Sequence, residues 1–299
     1  MSCGPRWASI EAFGAPASDR TVSAPYVFAV LGNVDPPARG LTADLAAMEV
    51  DAVVVAGDLV ARSTPAGWQR AAERLGGWPV LGALGGGEST GDPALRGAHA
   101  AWPDGLWGHL TVTTRRGPVR WVFLDPRGSL DQRFWLPGVL ADPLVGAVVV
   151  LGQDAPDLER TARSAVAPED LAAVVRGGGG VNSFALPEGP WGAADVGAGA
   201  GGGPPQVLDQ DDVSEAFAAA LGASFARDVP AVAERHQRGE PFRPPAFATT
   251  GWWHVVVDDE ARITWSLRRR DAAGVWSTVF ETVWSPAGGH QAVEPVVRE

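Results

Sequence analysis

The chain has 299 residues, 45% of them hydrophobic and 20% charged, enough to bury a sizeable core in one large domain or two small ones. A formal net charge of −11 repels phosphate backbones and anionic headgroups, which argues against a nucleic-acid partner and against a membrane-surface role. All 24 basic residues are arginine, so a Schiff-base lysine, a pyridoxal attachment point and a P-loop lysine are absent, and the one cysteine, Cys3, can form neither an intramolecular disulfide nor a cysteine metal cluster.

The first residues lack the apolar run of a signal peptide, and no window approaches bilayer-spanning length. Residues 1–22 are therefore expected to be a disordered tail, 23–286 one domain, and 287–299 a second tail. A cytoplasmic location is the expectation, unless the start is misassigned and an export signal is missing.

Order is predicted to begin at Tyr26. YVFAVLG (26–32) is an apolar, β-branched and aromatic run ending at Gly-Asn, which predicts a buried strand running into a loop. A helix is predicted around 41–49 and a second buried strand at DAVVVAGD (51–58). An amphipathic helix over 64–75 carries Pro65 in its first turn, and WPVLGAL (78–84) is a third strand. Further along, the pattern predicts a helix near 92–101, strands at 108–115 and 119–125, and buried strands at GAVVVLGQD (146–154) and LAAVVRG (171–177). The WLPGVL segment (135–140) is left unassigned, as is the polar stretch between the two buried strands. Residues 177–203 read as a Gly/Pro-rich loop and 212–237 as helical, with Pro230 as a break. The last part, WWHVVVD, RITWSLRR and VWSTVFETVW, predicts an antiparallel meander. Together these predict an α/β (α+β) chain on a largely buried sheet with added antiparallel strands.

Several chemical motifs fail on inspection. GGGESTGD (85–92) has glycines at Walker spacing, but Asp92 stands where lysine is needed, so an anion would meet a carboxylate. GGGG (177–180) does not complete a dinucleotide fingerprint. Gly87-Glu88-Ser89-Thr90-Gly91 matches the nucleophile-elbow pattern, which makes a serine hydrolase at Ser89 a remote alternative. His99, His109, His236, His254 and His290 show no ligand spacing, and His254 reads as a packed or surface-facing strand residue. Arg268-Arg269-Arg270 reads as a solvated edge that discourages strand pairing. Arg39, Arg62, Arg127 and Arg176 each stand near a predicted strand end; Arg176, directly before GGGG, could supply positive charge to a site there, beside the plainer reading of a solvated loop arginine.

The ordered strand ends FAVLGNVD, VVVAGD, PVLGALGGGE, VVVLGQDAP and VVRGGGG, flanked by WVFLDPR, DVGAGAGGGPP and WWHVVVDDEARITWSL, resemble the calcineurin-like metallophosphoesterases from Tyr26 to Trp284. The resemblance implies a four-layer αββα sandwich of the metallo-dependent phosphatase type. In that family two divalent cations about 3.5–4 Å apart position a hydroxide and neutralise the phosphate. Carried over residue by residue, the first motif's Asp is Asn33 and its His is Asp35, while the bridging Asp is kept as Asp58. The third motif's Asn and His fall on Gly86 and Gly87, followed by Glu88. The fourth motif's His is Gln153, beside Asp154, and the two histidines of the fifth fall on Gly178 and Gly180.

Glycine has no side chain to donate. The resemblance therefore implies a dismantled dinuclear site and a catalytically inactive protein that binds a protein or small molecule. The alternative is a metal-dependent phosphoesterase with a rebuilt oxygen-ligand site at Asn33, Asp35, Asp58, Gln153 and Asp154. No cofactor is expected at full dinuclear occupancy; Asn33, Asp35 and Asp58 suit one weakly held Mg²⁺ or Ca²⁺. Asp58 also has a purely local reading, as a cap on loop N–H groups.

Overall fold

A computed structural model describes residues 21–32, 39–57, 59–60, 62, 64–75, 77–83, 85, 107–126, 128, 130–152, 155–176, 183–185, 238, 251–271, 273–286 and 288–292. Among them the chain is a mixed α/β structure of two mixed sheets and four helices. The apolar runs become strands because they satisfy their backbone in a ladder while burying both faces. Thus β1 is Thr21–Ser23, β2 Tyr26–Leu31, β3 Ala52–Ala56, β4 Val80–Ala83, β5 Gly108–Thr113, β6 Pro118–Leu124 and β7 Gly146–Leu151. The remaining strands are β8 Leu171–Arg176, β9 Ser183–Ala185, β10 Gly251–Val257, β11 Ile263–Arg270, β12 Trp276–Ser285 and β13 Gly289–Ala292.

One sheet has the order β1-β5-β6-β7-β8-β9 and the other β13-β12-β11-β10-β2-β3-β4. In the second, β2, β3 and β4 are parallel and the C-terminal meander joins antiparallel through β10. In the first, β6, β7 and β8 are parallel.

Strand alternation sorts the core into three clusters. Phe28, Val54, Leu81, Val255 and Trp265 of one sheet meet Val112, Trp121, Phe123, Val148 and Val175 of the other. Phe28 and Trp121 are in ring contact across this seam, with centroids 4.3 Å apart, and Trp121 also meets Trp265 at 5.8 Å. The opposite faces carry helices. Helices α1 (Leu41–Ala47) and α2 (Pro65–Leu75) cover Ala29, Leu31, Val53, Val55 and Val80. Helices α3 (Leu130–Ala141) and α4 (Pro156–Ala165) cover Val122, Leu124, Val149, Leu151 and Val174.

Local chemistry starts the helices where the sequence suggests. Thr64 Oγ1 accepts the Gly67 N–H at 3.1 Å, an N-cap bond, and Pro65 follows at the first helical position. Helix α4 escaped the sequence reading because its fully buried apolar residues are just Leu158 and Ala162, on a segment that is otherwise mostly polar. Asp157 and Glu159 in its first turn suit the helix dipole, and Glu159 accepts from Arg163 Nε at 2.8 Å one turn on. Helix α3 turns the unassigned WLPGVL segment inward through Leu136, Val139 and Leu140 despite the internal Pro137. Its packing outweighs the hydrogen bond that proline removes.

Four expectations are corrected. Residues 183–185, inside the expected loop at 177–203, form β9 antiparallel to β8. Thr21 and Val22, placed in the disordered tail, belong to β1, which pairs in parallel with β5 through Thr21↔Thr111 and Val22↔Val112. Residues 289–292, placed in the C-terminal tail, form β13 against β12. Both are short edge strands whose stability comes from a pairing partner, a signal invisible in their own composition. The Arg268–Arg270 run is no edge at all, since β11 pairs on one side with β10 and on the other with β12. Its Arg268 guanidinium is instead held in a bidentate pair by Asp44 of α1, which also accepts from the buried Trp252 indole N–H at 2.9 Å.

The two sheets are stitched together at one end by the turns after β5 and β10. The Arg115 N–H donates to the Asp259 carbonyl at 3.0 Å, and Glu260 pairs with Arg115 and Arg116 at 2.6 and 3.2 Å.

Candidate functional site

The strands that carry the sequence motifs end in step. Leu31 is in register with Val55, Val55 with Gly82, and Ala56 with Ala83, so β2, β3 and β4 release their chains at one edge of their sheet. In the other sheet Leu124, Leu151 and Arg176 stand in one register row at the ends of β6, β7 and β8.

The two edges meet at three glycines. Gly57 has φ +72° and donates its N–H to the Ala83 carbonyl at 3.1 Å. A Cβ built on Gly57 would lie 2.0 Å from the Gly152 carbonyl oxygen and 2.9 Å from the Gly85 Cα. Glycine is thus required here twice over, for its left-handed backbone and for the approach of two other main chains. Each of these glycines is one residue before a motif position: Gly57 before Asp58, Gly85 before Gly86 and Gly152 before Gln153. No protein-family model, curated protein or solved structure matches the chain.

The structure brings the starting points of the second, third and fourth motifs together. The motif residues themselves, Asn33, Asp35, Asp58, Gly86, Gly87, Glu88, Gln153, Asp154, Gly178 and Gly180, lie outside the described residues. So do Ser89, Arg127, His99, His236, the expected helix at 92–101, residues 1–20 of the expected tail and the expected helix at 212–237. Arg39 and Arg62 are described and are exposed. Among the described residues no three of His, Cys, Asp and Glu are grouped as a metal site, and no helix is long and apolar enough to cross a membrane.

At the positions to which the resemblance points, Gly86, Gly87, Gly178 and Gly180 carry no side-chain donor, and Asn33, Asp35, Asp58, Gln153 and Asp154 offer carboxylate and amide oxygens, ligand types that suit a hard cation.

One carboxylate at this edge was missed by the sequence reading. Asp125 directly follows β6, one position beyond the Leu124↔Leu151 pair, just as Gly152 follows β7, and the residue is 4% exposed. Its backbone is clamped by Gln132 of α3. The Asp125 N–H donates to Gln132 Oε1 at 2.7 Å, and Gln132 Nε2 donates to the Asp125 carbonyl at 2.9 Å. The same carbonyl accepts from the Gly128 N–H at 3.0 Å, closing a turn whose Asp-Pro-x-Gly order matches the preferences of a type I β-turn. The sequence did carry a signal, an Asp-Pro at a strand end with a polar Gln inside an apolar helix, but nothing linked the two across seven residues.

Replacing Gln132 by Leu leaves the Asp125 N–H without its acceptor while the carbonyl keeps Gly128. The expected cost is about 1–3 kcal/mol, read as a lower urea midpoint at unchanged slope.

A second polar group lies on the outer face of the meander, where α1 packs. His254, Ser266 and Glu281 share one register row across β10, β11 and β12, and Ser266 Oγ donates to Glu281 Oε2 at 2.8 Å. Burial lowers the His254 pKa, opposed by its hydrogen bond to the Met48 backbone. Arg268 lowers it further, while Glu281 and Asp44 raise it. The residue is half-buried on a strand paired on both sides, within the expectation of a packed or surface-facing strand histidine. Ser266 gives its proton to the acid rather than to the imidazole, which is the wrong arrangement for an activated nucleophile.

The folded imidazole stays neutral below the usual histidine range, so the unfolded chain binds the extra proton and stability falls as pH drops through about 6.5. Chemical denaturation between pH 8 and 5 is expected to show this loss, and His254→Gln is expected to flatten it. An unchanged slope in the variant would assign the loss to other groups.

Proposed function

We propose that the chain is a calcineurin-like metallophosphoesterase homologue, a four-layer αββα sandwich whose dinuclear site has been dismantled, and that it acts by binding a protein or small molecule. The observation that carries this reading is the meeting of Gly57, Gly85 and Gly152, which brings the starting points of three motifs from two sheets together at one edge. The packing of helices on the outer faces of two sheets with a shared core supports the layered architecture. The glycines at 86, 87, 178 and 180 support loss of the metal chemistry, because a hydroxide cannot be positioned by residues that lack donors.

A second reading is a phosphoesterase with a rebuilt oxygen-ligand site at Asn33, Asp35, Asp58, Gln153 and Asp154. Asp125 favours it, as a further buried carboxylate at the same edge. Such a site would hold one Mg²⁺ or Ca²⁺, a hard cation that oxygen ligands suit.

Elemental mass spectrometry of the purified protein, paired with hydrolysis of p-nitrophenyl and bis-p-nitrophenyl phosphate in Mn²⁺, Mg²⁺, Ca²⁺ and Zn²⁺, separates the two. Dismantling predicts substoichiometric metal and no turnover, with Asp58→Asn changing neither. Near-stoichiometric metal and turnover lost in Asp58→Asn would overturn it in favour of the rebuilt site.

A further inference from the structure

We draw no further inference here: the strongest candidate, the exposed apolar stripe of Leu130, Phe134 and Pro137 on the outer side of α3, is an unpartnered helix face, and nothing in the structure shows what covers it.

Discussion

Gly57→Ala is expected to be among the most damaging single substitutions in the chain. Alanine at φ +72° is strained by itself, and its methyl would sit 2.0 Å from the Gly152 carbonyl oxygen. The neighbour is backbone in both directions, Gly152 on one side and Gly85 on the other, so no side chain can swing away. Relief requires the edges of the two sheets to part. Strain and overpacking together are expected to cost about 2–5 kcal/mol. Gly77→Ala is the control, because a Cβ there meets nothing within 4 Å. Urea titration of both variants is expected to show a large fall in midpoint for the first and almost none for the second. Equal midpoints would mean that the three glycines do not touch in solution, and would remove the observation on which the proposed function stands.

The other large effect is expected at Asp44. Its carboxylate accepts from both sides of the Arg268 guanidinium and from Trp252, and the two ion-paired side chains are only 8% and 13% exposed. Asp44→Ala leaves a largely buried cation and a buried indole N–H without their acceptor. Breaking such a pair from one side is expected to cost about 3–5 kcal/mol. Thr278 Oγ1 still accepts from Arg268 Nη1 at 3.2 Å, which tempers the loss without neutralising the charge. Removing both charges in Asp44→Leu with Arg268→Met is expected to recover much of the stability, because desolvation of the cation then disappears as well. A double variant as unstable as the single one would show that the damage comes from lost packing of α1 rather than from the orphaned guanidinium.

Asp44 and Arg268 also show where sequence reasoning stops. They are 224 positions apart, and nothing in RRRD or in TADLAA announces that one will meet the other. Periodicity sees a charged run and assigns it to solvent, since an isolated charge is costly to bury. The fold makes burial tolerable by delivering the counter-charge from α1. Asp125 and Gln132 repeat the lesson over a shorter distance, as a polar pair legible only once the turn at Gly128 folds α3 back over the end of β6.

The main strands were legible for the opposite reason. YVFAVL, AVVVA, VLGA, GAVVVL and LAAVVR are apolar on both faces and most are bounded by glycine, so their character does not depend on knowing a partner. The meander was legible from its alternation and its turns. The short edge strands β1 and β13 and the polar helix α4 were not, because each is held mainly by what it pairs with or packs on.

The sequence by itself determined the buried strands, their order along the chain and the residue types available at their ends. Only the tertiary structure decided that β3, β4 and β7, from two different sheets, bring Gly57, Gly85 and Gly152 into contact. The reason is that a strand's own composition records how much of it is buried, whereas which strand ends share an edge depends on pairing order and on how the two sheets face each other.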